Sequence, residues 1–201
     1  MLSAVVLAAG EAERMGRLKQ ILPWGEHTIL ETVIYNLLAC DNIDDEIRVV
    51  IGAQAEKINK VLQKIDDPRL QLIENKKYKK GMLTSVWAGL RNLPRSTKYI
   101  LFTLGDKPLI TDKIYKEIIK VLKQKKPEIL LPYYKEQRGH PVIIDSELLE
   151  EVYKLDTCGG LRGLIRKYPQ KVYSYPLASE RILIDIDYYW EYEKYRSEFV
   201  K

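Results

Sequence analysis

The chain has 201 residues, enough for one sizeable core and short for two, so we read it as a single domain, residues 1–201. It is 46% hydrophobic and 30% charged, and its two cysteines, Cys40 and Cys158, are too far apart to give a disulfide or zinc framework, which points to a soluble protein of the reducing cytoplasm. The net charge of +5 is 33 bases scattered among 28 acids, and the basic clusters at 76–80 and 120–126 carry no aromatic stacking motif, so no nucleic-acid partner is expected.

Residues 2–9 have no basic leader, and no later segment approaches the roughly 18 unbroken apolar residues of a membrane span, so neither secretion nor membrane insertion is expected. Short β-branched runs then alternate with stretches of helical spacing, the pattern of an α/β domain with a largely parallel sheet. Strands are expected at 3–8, 47–51, 70–73, 98–103, 128–131, 141–144, 171–175 and 182–185. Apolar residues three and four apart place helices at 29–38, 56–65, 83–93, 111–122 and 161–168, with an amphipathic helix at 188–199. Residues 132–140 (PYYKEQRGH) read as an exposed flap. A parallel sheet gathers its ligand-binding loops beyond the carboxyl ends of its strands, so functional residues should follow the strands.

The first strand runs into LAAGEAERMGRLK, residues 7–19. Gly10 lets the backbone turn tightly and present its N–H groups to a polyphosphate or a base edge. Arg14 can clamp phosphate oxygens in bidentate fashion, and Lys19 can follow a phosphoryl group through its transition state. An ordinary polar surface loop is the competing reading. The spacing fits neither G-x-G-x-x-G nor the P-loop, and CGGLRG at 158–163 also misses the dinucleotide pattern.

Four further stretches carry candidate chemistry. In YILFTLGDKPLI (99–110) an apolar strand ends in Gly105 and Asp106, and an acid at a strand tip in a phosphate site has Mg²⁺ as its natural partner. Gly81 opens a helix whose hydroxyls, Ser85 among them, suit a base or phosphate, or simply cap the helix. Arg138-Gly139-His140-Pro141-Val142 offers His140 either to an anionic substrate or to a loop hydrogen bond. In ILIDID (182–187), Asp185 and Asp187 would share one face of a strand, and either complete a metal site with Asp106 or stay solvated.

Taken in this order, Leu7-Ala8-Ala9-Gly10, Arg14-Met15-Gly16, Lys19, Leu22-Pro23, Gly81–Ser85, Gly105-Asp106 with Pro108, Arg138–Val142 and Asp185-Ile186-Asp187 resemble the MobA-like NTP transferase family. The arginine-glycine-histidine-proline-valine run points to its molybdenum cofactor cytidylyltransferase branch. The resemblance implies a Rossmann-like α/β/α sandwich with a mostly parallel mixed sheet, of the nucleotide-diphospho-sugar transferase type. It implies an enzyme that binds CTP and Mg²⁺, transfers CMP to the phosphate of molybdopterin cofactor and releases pyrophosphate, with a molybdoenzyme or its chaperone as a partner.

Carried over to this chain, the resemblance lays Leu7, Ala8, Ala9 and Gly10 along the base and ribose, with Gly81 and Ser85 also at the nucleotide. It puts Arg14 along the β- and γ-phosphates, Lys19 near the α-phosphate, and Arg138 and His140 at the acceptor. Asp106 holds the metal and Asp185 assists it. The chain departs from the pattern at Lys107, where the family has an uncharged residue and where the side chain is expected to point away from the metal. It departs also at Asp156 and Gly160-Leu161-Arg162, which match the G-D-x-G-A-R element only loosely, and at Tyr188-Tyr189 after Asp187. GTP as donor, a sugar phosphate as acceptor, and a non-catalytic cofactor-binding role remain the alternatives.

Overall fold

The run LSAVVLA forms β1 (Leu2–Ala8), almost wholly buried, as a central parallel strand must be. Its alternation sends Ala4, Val6 and Ala8 to one face of the sheet and Val5 to the other. Along the chain follow the ribbon β2 (Pro23–Trp24) and β3 (His27–Thr28), then α1 (Ile29–Leu38), β4 (Ile47–Ile51), α2 (Ala55–Leu62), β5 (Leu70–Glu74) and α3 (Met82–Leu90). The second half is β6 (Tyr99–Leu104), α4 (Asp112–Lys125), β7 (Ile129–Tyr134), β8 (Gln137–Arg138), β9 (Val142–Asp145), α5 (Leu149–Tyr153), α6 (Leu161–Lys167), β10 (Val172–Pro176) and α7 (Tyr189–Phe199). This computed structural model describes residues 1–156 and 159–199, and Cys158 lies outside them.

The main sheet runs β10-β7-β9-β6-β1-β4-β5, with β8 paired to the end of β7. β9 is antiparallel to both of its neighbours, and the other pairings along that path are parallel. Helices α1, α2 and α4 cover the face of Ala4 and Val6, while α3, α5 and α6 cover the face of Val5, Phe102 and Ile129. The expected α/β/α sandwich with a mixed, mostly parallel sheet is therefore what forms. Among the described residues no helix is long and apolar enough to cross a membrane.

Local chemistry sets how closely the helices approach. Thr28 caps α1 in a capping box: its hydroxyl accepts from Glu31 N, and the Glu31 carboxylate accepts from Thr28 N at 2.7 Å. α3 lies so close to the sheet that a Cβ at Gly89 would fall 2.5 Å from Val5 Cγ1.

Two expectations are corrected. Residues 132–140 are no free flap, because Gln137–Arg138 pairs back on Tyr133 and Tyr134 through a turn whose Lys135 and Glu136 both take positive φ. Residues 182–185 are not a strand. Ile182 ends a short 3₁₀ turn, and its carbonyl accepts from His140 N instead of from a neighbouring strand. The apolar/acid alternation there reflects alternate burial without pairing: Ile182 and Ile186 are fully buried and Asp185 and Asp187 are not.

The helix at the C-terminal end is present as expected. It rests on the molecule mainly through Tyr192, which joins Met15, Trp24, Ile29, Leu109 and Ile186 in a third cluster and donates to Pro23 O at 2.7 Å.

Candidate active site

The carboxyl ends of β1 and β6 lie side by side, stitched by Gly105 N donating to Leu7 O at 2.9 Å. Gly105 is required there, since a Cβ would fall 2.9 Å from Ala8 Cβ and 3.0 Å from Leu30 Cδ1. Above these ends opens a cleft of about 880 Å³. Leu7, Ala9, Gly10, Arg14, Lys19, Gly81, Ser85, Asp106 and Asp185 all line it, so most of the expected site residues are brought together. Ala8 does not, because strand alternation turns its methyl into the α1/α4 core. Arg138 and His140 do not line the cleft either. Arg138 is exposed on β8, and the His140 ring sits against Phe102 O at 3.5 Å.

The loop after Gly10 is held from beneath. Met15 and Leu18 are buried, and Gln20 donates to Ala8 O and Gly10 O, each at 3.4 Å. With these side chains anchored, Arg14 and Lys19 face the cleft. Gln20 was missed from sequence, since its amide acts only by bracing backbone. Across the cleft, Asn75 directly follows β5 and donates to the hydroxyls of Thr84 and Ser85, each at 2.9 Å. Ser85 Oγ accepts that bond and keeps its own O–H for a ligand. Asn75 too was missed from sequence, although its place directly after β5 is where functional residues are expected.

Charges of both signs are paired along one wall. Lys19 Nζ lies 2.5 Å from Asp106 Oδ2 and 2.7 Å from Asp187 Oδ1, and Arg14 Nη1 lies 2.5 Å from Asp187 Oδ2. Burial pulls the Lys19 ammonium down, but Asp106 and Asp187 outweigh it and hold its pKa above the ordinary lysine value. Burial pushes Asp187 up, and Lys19 with Arg14 more than reverses this, leaving it below the usual carboxylate range. Asp106 goes the other way, because burial lifts its carboxyl by more than Lys19 lowers it. Its Oδ1 is buried with no hydrogen-bond partner.

Lys107 does not behave as expected. Its side chain turns inward, is 2% exposed, and pairs with Asp185 Oδ1 at 2.8 Å. Tyr78, Lys79 and Arg162 also line the cleft. Lys79 belongs to the basic cluster at 76–80, and Arg162, on α6, to the loosely matched element.

This wall offers cations to an anionic ligand and an unpartnered carboxylate oxygen to a metal. Mg²⁺ is commonly held by one or two carboxylates together with substrate phosphates and water, and Asp106 fits that requirement. Among the described residues no group of three or more His, Cys, Asp or Glu is arranged to hold a metal by protein ligands alone.

Comparison with known proteins gives the chain's family and fold. The chain is 27% identical over 186 residues to the molybdenum cofactor cytidylyltransferase of Escherichia coli, covering 92% of this chain and 91% of that one. It is 30% identical over 160 residues to a probable molybdenum cofactor guanylyltransferase of Methanosarcina acetivorans, covering 76% and 67%. In fold it is similar to Rv0371c of Mycobacterium tuberculosis H37Rv, with a TM-score of 0.82 at 22% identity over 98% of this chain and 97% of that one. A manganese complex of that same protein superposes with a TM-score of 0.70 at 21% identity, covering 98% of each chain. Residues 4–172 match the family model described as the MobA-like NTP transferase domain, and the chain belongs to that family of nucleotidyltransferases.

Proposed function

We propose that the chain, as one nucleotidyltransferase domain, transfers CMP from CTP to the phosphate of molybdopterin cofactor and releases pyrophosphate. The observation that carries this reading is the meeting of Lys19 and Asp106, from loops after two adjacent strands, at 2.5 Å on the wall of a cleft large enough for a nucleoside triphosphate. The arginine-glycine-histidine-proline-valine run and the cytidylyltransferase relative support the choice of CTP and of the acceptor.

In this reading the base and ribose lie along Leu7, Ala9 and Gly10, with Gly81 and Ser85 opposite, and the triphosphate follows the loop to Lys19. An oxygen of the acceptor phosphate attacks the α-phosphorus as the bond to the bridging oxygen breaks, and the electron pair leaves with pyrophosphate. The attacking oxygen is already anionic, so no general base is needed, and the rate comes from positioning and charge stabilisation. Asp106 would hold Mg²⁺, which when bound neutralises charge on the phosphates. Arg14 exchanges Asp187 for the β- and γ-phosphates, and Lys19 stays at the α-phosphate. Arg138 and His140, outside the cleft wall, are proposed at the acceptor end, from which the product passes to a molybdoenzyme or its chaperone.

The test is pyrophosphate release with Mg²⁺ and each of the four nucleoside triphosphates, with and without molybdopterin cofactor. Release with CTP that requires the cofactor is the expected result. Release with GTP instead would favour a second reading, for which the guanylyltransferase relative speaks. Release with CTP and a sugar phosphate, but not with the cofactor, would replace the acceptor.

A further inference from the structure

Among the buried charges that the metal and nucleotide roles leave unused, one stands at the cleft itself. Lys107 follows Asp106 directly, yet its side chain is only 2% exposed. An ammonium has three N–H donors. Nζ donates to Ile182 O and Ile184 O, each at 3.3 Å, and forms an ion pair with Asp185 Oδ1 at 2.8 Å, outside hydrogen-bond geometry. A buried lysine is tolerated where it is paired and hydrogen-bonded, and here every partner comes from the segment 182–187. That segment joins no strand; Ile182 O accepts from His140 N, and Lys107 adds a donor to Ile182 O and another to Ile184 O, which fixes the path by which Asp185 and Asp187 reach the cleft.

The same contact decides what Asp185 can bind. A divalent ion on Asp185 Oδ1 would sit against an ammonium that is itself only 2% exposed and is held in place by two carbonyls, so the two cations would repel at close range. Asp106 differs. The ammonium beside it, Lys19, lies on Oδ2 and keeps Asp187 as a second partner when an ion arrives at Oδ1.

We propose that Lys107 is a built-in cation that stands at Asp185 in place of a divalent ion, so that the cleft takes its metal on Asp106 alone. Asp185 is then the counter-ion that lets Lys107 pin residues 182–187 across the site. The inference rests on the reading of the cleft as a metal-dependent nucleotide site.

The experiment is Mn²⁺ binding to the nucleotide-free protein, followed by the electron paramagnetic resonance signal of free Mn²⁺, with thermal melts to confirm folding. Lys107→Met should bind Mn²⁺ at least tenfold more tightly than the wild type, and adding Asp185→Asn to it should abolish the gain. Asp185→Asn alone should leave wild-type affinity within twofold, while Asp106→Asn weakens it tenfold or more. A folded Lys107→Met with wild-type Mn²⁺ affinity overturns the proposal. Should Lys107→Met fail to fold, the single Asp185→Asn variant decides, and a tenfold weakening there overturns it equally. Whether the wild type binds CTP is a separate titration, so failure of the nucleotide reading shows there and not in the Mn²⁺ comparison.

Discussion

At the scale of single residues, Asp106 and Lys19 carry the proposed chemistry and different consequences. Asp106→Ala should abolish pyrophosphate release while the circular dichroism spectrum and melting profile stay near those of the wild type. Lys19→Ala should lower kcat by more than it weakens CTP binding, because an ammonium at the α-phosphorus counts most in the transition state. Turnover of either variant at the wild-type rate would remove it from this role. Asp106 was legible because a charged group just beyond a buried strand has few structural reasons to be there, and Lys19 because it belongs to the glycine-bearing loop that follows β1. Gln20 and Ser85's partner Asn75 were less legible, since they act through backbone and hydroxyl groups whose position no side-chain type announces. Lys107 was misjudged for the opposite reason. A lysine reads as solvated, and only the carbonyls of Ile182 and Ile184 show why this one is buried.

Among the elements, the buried strands were legible to within about a residue at each end except β7, which runs on to Tyr134, because a run such as IRVVI has no use on a surface. The 182–187 segment was not. Period-two burial is necessary for a strand but not sufficient, and pairing depends on a free sheet edge that no local pattern encodes. Helix α3 offers the sharpest test at this scale. With Val5 Cγ1 at 2.5 Å from the added methyl and Val50 Cγ2 at 3.1 Å, Gly89→Ala must push the helix off the sheet. We expect a loss of about 1–3 kcal/mol in denaturant unfolding, typical of overpacking, despite alanine's better helix propensity. An unchanged or raised midpoint would mean that α3 has slack against β1. α3 also carries Ser85, so CTP binding should weaken along with stability.

For the molecule as a whole, loss of stability between about pH 6.5 and about pH 4 has a source outside the cleft wall. Burial, with the positive charge of Lys107 behind it, pushes the His140 imidazole down to about 4. Phe102 O and Asp185 oppose this, and Arg162 adds to it. The unfolded chain, with an imidazole near about 6.5, takes up a proton there that the folded chain refuses. Stability from this group is therefore complete above about pH 6.5 and is lost as pH falls toward 4. The fall in Tm between about pH 7.5 and about pH 5 should be smaller in His140→Gln than in the wild type, by calorimetry. Equal falls would assign the acid sensitivity elsewhere.

The ion pair between Arg14 and Asp187 spans 173 positions of sequence, and the Tyr192 hydroxyl reaches Pro23 across 169. All strands of the sheet precede residue 177, so a chain emerging from the ribosome can complete its sheet before either closing contact exists. The carboxylate that holds Arg14 and Lys19 in place is thus the last part of the cleft to be made. A ribosome stalled beyond β10 would present a folded sheet whose loop cations still await that carboxylate.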